Sequence, residues 1–190
     1  LLIAYLFIVS IAVLFFYWMP SVAMILFILF SAYHFGEQHW DHLFAKTNSL
    51  LKFSFFFAYG LLILFLLFSF NDKEVKLILH EITGYKFTTL YSKIIIAVLG
   101  GFVGVVLVFD YYTKRLPLEV LLKELFTLLV LAIVFSSSSL IWGFSIYFIL
   151  WHSIPSIIEQ LDYLHKEISW KSFLKYIQKS FLVWLISILA

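Results

Sequence analysis

Residues 53–70 read F-S-F-F-F-A-Y-G-L-L-I-L-F-L-L-F-S-F, and no charged side chain interrupts them. A helix that crosses the ~30 Å hydrocarbon core of a bilayer needs about 20 mostly apolar residues. A helix on the surface of a soluble protein keeps one charged or polar face, whereas this stretch has no charged position at all. The stretch therefore predicts a transmembrane helix.

The composition of the whole chain supports the same conclusion. Of its 190 residues, 64% are apolar, 21% aromatic and 13% charged, whereas soluble domains are about half apolar and a quarter charged. Mean hydropathy is +1.05. This composition excludes a soluble enzyme domain, and the small net charge of +2 argues against a nucleic-acid partner. Because the chain has no cysteine, a metal ion would need nitrogen and oxygen ligands.

Hydropathy divides the chain into seven apolar segments joined by short links. The segments cover residues 1–19, 22–44, 53–70, 94–109, 117–135, 140–163 and 173–190. We therefore predict an all-α fold, a polytopic transmembrane helix bundle of about six to seven spans, in which residues 1–190 form a single transmembrane domain. The chain is apolar from Leu1 onward and has no charged leader, and we interpret it as a fragment with at least one span upstream.

Basic residues set the predicted orientation of the bundle. One side is flanked by Lys46, Lys52, Lys114, Arg115, Lys123, Lys166, Lys171, Lys175 and Lys179. The other side has only Lys73, Lys76, Lys86 and Lys93. The positive-inside rule places the richer side in the cytoplasm. We therefore expect a multi-pass protein of the cell membrane, either the inner or the plasma membrane.

Ionisable side chains cluster on the second and sixth predicted spans. On a helical wheel of about 100° per residue, one stripe of the second span carries an imidazole, two carboxylates and an amide. These residues are His34, Glu37, Asp41 and Gln38. The corresponding stripe of the sixth span carries His152, Ser156 and Glu159. Charged and titratable groups inside a span cost several kcal/mol and usually mark function.

The two intramembrane histidines are predicted to lie level in the bilayer. His34 and His152 each lie about 12 residues past the predicted start of a span, roughly 18 Å deep at 1.5 Å per residue. Both spans run in the same direction, so the two imidazoles could share a ligand if the helices are neighbours. Pro155 cannot donate a hydrogen bond to the carbonyl of Trp151, and it therefore predicts a kink beside His152 that leaves a free acceptor.

The remaining histidines favour structural interpretations. His39, His42 and His165 are predicted to form hydrogen bonds between packed helices or to lie in the solvated interface. His80, next to Glu81 in the link between the third and fourth spans, is predicted to be structural. Gly100 and Gly104 form a G-x-x-x-G step, a pattern that permits close packing of helices.

Two motifs carry a family resemblance. The stretch Y-H-F-G-E at residues 33–37, followed by Y-F-x-x-W-H-S at residues 147–153, resembles the Brp/Blh family of membrane β-carotene 15,15′-dioxygenases. The resemblance implies a polytopic enzyme that uses O₂ to split the central double bond of β-carotene, or of a related carotenoid, into two retinal molecules. It also implies a bilayer-dissolved substrate and an opsin as a downstream partner for the product.

The resemblance further implies non-haem iron, Fe(II), held by four histidines. His34 and His152 match two of them. A third would lie in a His-Gly motif upstream of Leu1, and the fourth position is occupied here by Ser156. Because a hydroxyl is a poor ligand for Fe(II), Glu159 or Glu37 is a possible substitute ligand. Glu37 and Asp41 are also candidates for orienting the imidazoles by hydrogen bonding.

Two other classes of function stay open on the sequence. Ser156 favours a membrane protein that binds a carotenoid or retinal without catalysis. The stripe of carboxylates and histidines would also suit a transporter or a proton relay. Against a transporter, the sequence has no inverted repeat and no matching pair of interrupted spans.

Overall fold

A computed structural model describes residues 2–41, 43–44, 49–88, 91–166 and 168–189. Regular secondary structure in these ranges is entirely helical, which confirms the predicted all-α class. The helices are α1 (Leu2–Trp18), α2 (Pro20–Trp40), α3 (Ser49–Phe70), α4 (Asp72–Thr83), α5 (Ser92–Tyr112), α6 (Leu118–Ser137), α7 (Leu140–Tyr147), α8 (Ile154–His165) and α9 (Trp170–Leu189). A π-helical segment, Phe148–Ser153, joins α7 to α8, so that Leu140–His165 is one continuous helical rod.

Several helices are long and apolar enough to cross a membrane. Within the described ranges these are Pro20–Trp40, Ser49–Phe70, Ser92–Tyr112 and Leu140–His165, with Leu6–Trp18 as a shorter apolar helix. The fifth and seventh predicted spans also form helices, α6 and α9. The chain is therefore a helical protein suited to a membrane, in agreement with the hydropathy pattern.

Helix α4 is an element that hydropathy alone does not predict. It occupies Asp72–Thr83, in the link between the third and fourth spans. Asp72 and Glu74 lie in its first turn, where negative charge stabilises a helix, and Gly84 ends it with a left-handed φ of 75°. Because α4 is short and mixes polar with apolar residues, it does not stand out in a hydropathy profile. His80 lies on this helix rather than in a loop.

Helices α2 and α3 make the closest contact of the bundle through two glycines. A Cβ atom on Gly36 would overlap the backbone carbonyl of Phe56, and one on Gly60 would overlap the backbone carbonyl of Ala32. Small residues let helix backbones approach in this way. The contact is reciprocal, so each helix supplies the glycine that accommodates the other. Gly36 belongs to the Y-H-F-G-E motif, and the close contact fixes the part of α2 that carries His34.

The prediction that Gly100 and Gly104 allow close helix packing is wrong. Among the described residues nothing lies within 4 Å of a Cβ placed on Gly104, and one on Gly100 would only touch Leu62 at 3.8 Å. The buried side of α5 is formed instead by Val103, Val106 and Leu107. The glycines therefore border a groove at the surface.

The predicted interruption beside His152 is confirmed. The N–H of Ile154 donates to the carbonyl of Ile149, five residues back, which is the pattern of a π turn. The backbone carbonyl that accepts a hydrogen bond from a side chain is that of His152, whereas the sequence pointed to that of Trp151. Gln38 Nε2 of α2 donates to it at 2.9 Å. The interruption thus becomes a point of attachment between the two helices that carry the predicted stripes.

Candidate functional site

The imidazole rings of His34 and His152 meet across the bundle. Their centroids are 5.0 Å apart and their planes are inclined by 78°. His34 lies in the C-terminal half of α2 and His152 in the π-helical segment. The helices that carry the two rings are therefore neighbours, whereas equal depth in the bilayer and a shared ligand stay predictions.

Aromatic side chains from both motifs surround the ring of His152. The rings of Phe35 and Phe148 lie 5.1 and 4.9 Å from it, centroid to centroid. Phe35 is itself buried and packs edge-on against Tyr147 at 5.3 Å. The two motifs are therefore parts of one structure, in which each supplies a histidine and an aromatic wall for the other.

One ring nitrogen of His152 has no hydrogen-bond partner. Its Nδ1 is buried, and no donor or acceptor among the described residues reaches it. Leaving a buried polar atom unsatisfied costs about 1–3 kcal/mol. Since neutral imidazole is the commonest metal ligand in proteins, a ligand at this nitrogen would remove that cost.

A polar cavity of about 440 Å³ lies beside the two rings. Both predicted stripes line it, which confirms that they face each other. The lining residues are His34, Glu37, Gln38, Asp41, Ser156 and Glu159. The ring of His34 is exposed on the side of this cavity, whereas His152 lies half-buried behind it.

The cavity carboxylates of α2 already have partners. Glu37 accepts a hydrogen bond from the hydroxyl of Tyr33 at 3.1 Å, and Asp41 pairs with the ammonium group of Lys52 at 2.6 Å. Either carboxylate would have to exchange its partner in order to orient an imidazole or to bind a metal. Both roles therefore stay predictions.

The α8 side of the cavity is formed by Ser156 and Glu159. Ser156 Oγ accepts a hydrogen bond from Gln160 Nε2 at 3.2 Å. Glu159 is exposed, one turn further along α8. The role of Glu159 as a substitute ligand stays a prediction as well.

The donors fit an iron centre in part. His34 and His152 offer two imidazoles next to carboxylate oxygens, a combination typical of non-haem iron with open coordination positions. Within the described ranges, no group of three or more histidine, aspartate or glutamate side chains is close enough to hold a metal ion. An iron ion held by these two histidines would therefore need further donors.

Comparison with known proteins shows the family of the chain. The model of a family described as beta-carotene 15,15'-dioxygenase matches residues 1–190, the whole chain. The chain belongs to the β-carotene 15,15′-dioxygenase family. No curated protein and no solved structure matches it.

This dioxygenase-family chain has a second polar cluster that the sequence did not single out. Glu124 of α6 is only 3% exposed. Its carboxylate pairs with His39 Nε2 at 2.8 Å and accepts a hydrogen bond from the hydroxyl of Tyr59. The rings of His39 and Tyr59 are stacked 5.1 Å apart. A carboxylate within the fifth predicted span was the available signal, because such residues are rare in spans and usually paired.

The other histidines that the structure describes do not line the polar cavity. His39 takes the predicted packing role, since its bond to Glu124 joins α2 to α6. His165 ends α8, and His42 lies outside the described residues. The Nδ1 of His80 is buried on α4 without a partner among the described residues.

Proposed function

We propose that this member of the family is an iron-dependent oxygenase that cleaves β-carotene, or a related carotenoid, at the central double bond. The observation that supports the proposal is the adjacency of His34 and His152, with an unpartnered ring nitrogen on His152. One carbon–carbon double bond breaks and two carbonyl groups form. Each takes one atom of the same O₂ molecule, so that β-carotene yields two retinal molecules without an external reductant.

His34 and His152 would hold the Fe(II), and that ion, when bound, supplies the activation of O₂. The further ligands are proposed to come from the cavity carboxylates of Glu37 and Glu159. Phe35 and Phe148 cover the ring of His152 and keep water away from it. Gln38 holds the backbone of His152 and so fixes the spacing between the two imidazoles.

Expression in cells that accumulate β-carotene tests the proposal. We expect retinal from the unaltered protein and a loss of about 100-fold or more in His34→Ala and in His152→Ala, because ligand loss exceeds the 10- to 100-fold effects of outer-shell changes. His165→Ala is the matched control, since His165 ends α8 outside the cavity. Retinal production that survives His34→Ala would contradict the ligand assignment.

A non-catalytic carotenoid-binding role is the second candidate. Ser156 favours it, because this hydroxyl lies in the cavity at the position where the resemblance implies a fourth histidine. Metal analysis of purified protein separates the two candidates. The oxygenase would contain stoichiometric iron, and that iron would be lost in His152→Ala. A binding protein would show carotenoid absorption without iron.

We propose the cell membrane as the location, with the lysine-rich side in the cytoplasm. The substrate is then dissolved in the same bilayer as the enzyme, and the retinal product is released where an opsin could take it up. Both statements rest on the charge pattern and on the resemblance.

A further inference from the structure

An apolar pocket lies next to the histidine pair, on the opposite side from the polar cavity. Its volume is about 380 Å³, and residues of α2, α3, α4 and α7 line it. Of the lining residues only Ser31 has a polar side chain. Phe27 and Ile141, which are 54% and 69% exposed, stand at its rim, whereas Leu64 and Val75 are buried at its base.

Neighbouring residues connect the lining of the pocket to the histidine pair. Ser31, in its lining, lies one turn before His34 on α2. On the facing rod, Phe144 of the pocket stacks on Phe148 at 5.7 Å, and Phe148 contacts His152 at 4.9 Å. Phe144 and His152 are separated by eight residues, roughly 12 Å along a helix. A row of aromatic rings therefore leads from the apolar pocket to the imidazoles.

Helix α4 closes the end of the pocket with Val75, Ile78 and Leu79. Two polar side chains fix this helix in place. Asn71 Nδ2 donates to the carbonyls of Leu67 and Phe135, at 3.1 and 3.4 Å. Glu74 accepts a hydrogen bond from the first N–H of α7, that of Leu140, at 3.0 Å. The distance from α4 to the histidines is thus set by bonds to α3, α6 and α7.

We propose that the apolar pocket receives one terminal ring of the carotenoid and that α4 is the end stop that selects the bond to be cleaved. The inference rests on the proposed function. A rod-shaped polyene that is stopped at one end presents one fixed double bond to the histidine pair. An apolar lining with a rim toward the membrane suits a ring that enters from lipid, and it offers no partner for a polar headgroup. Whichever double bond breaks, each fragment takes one oxygen atom of O₂ and becomes a carbonyl compound, an aldehyde at a CH carbon and a ketone at a methyl-bearing carbon.

Ile78→Phe tests the end stop because it shortens the pocket. The substrate would then bind less deeply, and an off-centre double bond would lie at the histidines. We expect two carbonyl fragments of unequal length, with their ratio to retinal rising at least about tenfold, the discrimination that one or two methylene groups provide in an apolar pocket. The matched control is Leu77→Phe, on the same helix but 62% exposed and outside the lining. It should give retinal alone.

The reciprocal variant Leu79→Ala deepens the pocket and keeps the test decisive if Ile78→Phe fails to fold. Deeper binding should again give two carbonyl fragments of unequal length. Retinal as the sole product of every folded pocket variant would overturn the end stop and would leave the oxygenase proposal intact. An unaltered protein that forms no aldehyde at all would overturn the proposed function and the end stop with it.

Discussion

Ser156 is the residue that separates this chain from the ligand set that its resemblance implies. Its hydroxyl lies in the same cavity as His34, and its nearest described partner is Gln160. A histidine side chain at this position would point into the cavity from α8, toward the pair of imidazoles on the other two segments. A substitution of Ser156 by histidine therefore tests whether a proposed metal site lacks one ligand.

We expect Ser156→His to strengthen iron binding. A third imidazole would raise iron retention on the order of tenfold, comparable to the effects that single groups around a metal have on affinity. Iron content after dialysis against a graded chelator measures this. Tyr163→His places a histidine on the same helix at a site that is 83% exposed and serves as the control. Equal iron retention in both variants would show that position 156 does not face the metal.

For single residues, the sequence predicts which side chains share one face of a helix and how far along a span each of them lies. His34 and His152 could be matched because each lies at a countable distance along an apolar span. The closest helix contact could not be located, because a glycine pattern does not say which face meets a neighbour. Gly36 and Gly60 make that contact, whereas Gly104 faces open space within the described structure. The contacts of Glu124 could not be predicted either, because its partners His39 and Tyr59 lie on two other helices.

At the scale of helices, the carboxylate of Glu124 joins α2, α3 and α6. Its two oxygens bind His39 and Tyr59, and Trp40 packs edge-on against Tyr59 at 5.5 Å. His39 and Trp40 are the last residues of α2, which carries His34 further back. The cluster therefore fixes the end of the helix that presents the polar stripe.

We expect Glu124→Leu to destabilise the bundle more than Glu124→Gln. Leucine leaves the hydroxyl of Tyr59 and Nε2 of His39 without an acceptor, at about 1–3 kcal/mol for each buried group. Glutamine keeps an oxygen that can accept from the tyrosine. Thermal unfolding in detergent, followed by tryptophan fluorescence, measures the difference. Identical melting of both variants and the unaltered protein would contradict the packing role.

Helix α4 is a helix that the hydropathy of the sequence does not predict. The membrane spans are predictable because their environment demands a long apolar segment. The stability of α4 depends instead on tertiary contacts, namely the buried side chain of Val75 and the bonds made by Asn71 and Glu74. A sequence carries no local signal for such contacts, since short helices gain most of their stability from packing.

At the scale of the whole molecule, the histidine pair separates two different environments. The apolar pocket lies toward the N-terminal ends of α2 and α7, and the polar cavity lies between the C-terminal end of α2 and the first half of α8. If the lysine-rich side is cytoplasmic, the cavity faces the cytoplasm and α4 lies at the outer surface. The orientation of the chain thus decides from which side water reaches the histidines.

Cysteine labelling tests this orientation cleanly because the chain has no cysteine of its own. Lys73→Cys, on α4, should react with a membrane-impermeant maleimide in intact cells. Lys114→Cys, exposed after α5, should react only after the membrane is permeabilised. The opposite labelling pattern would reverse the predicted topology.

The π-helical segment has a consequence for chain length. A π turn accommodates one residue more than an α turn, so Phe148–Ser153 holds an extra residue within the rod. Removing one residue there would restore plain α geometry and leave Ser156 and Glu159 in nearly the same angular phase relative to Tyr147. The same deletion further along α8, where no wide turn can absorb it, would rotate the residues that follow by about 100°. The π segment is therefore the place where this rod tolerates a change of length with its two halves still aligned.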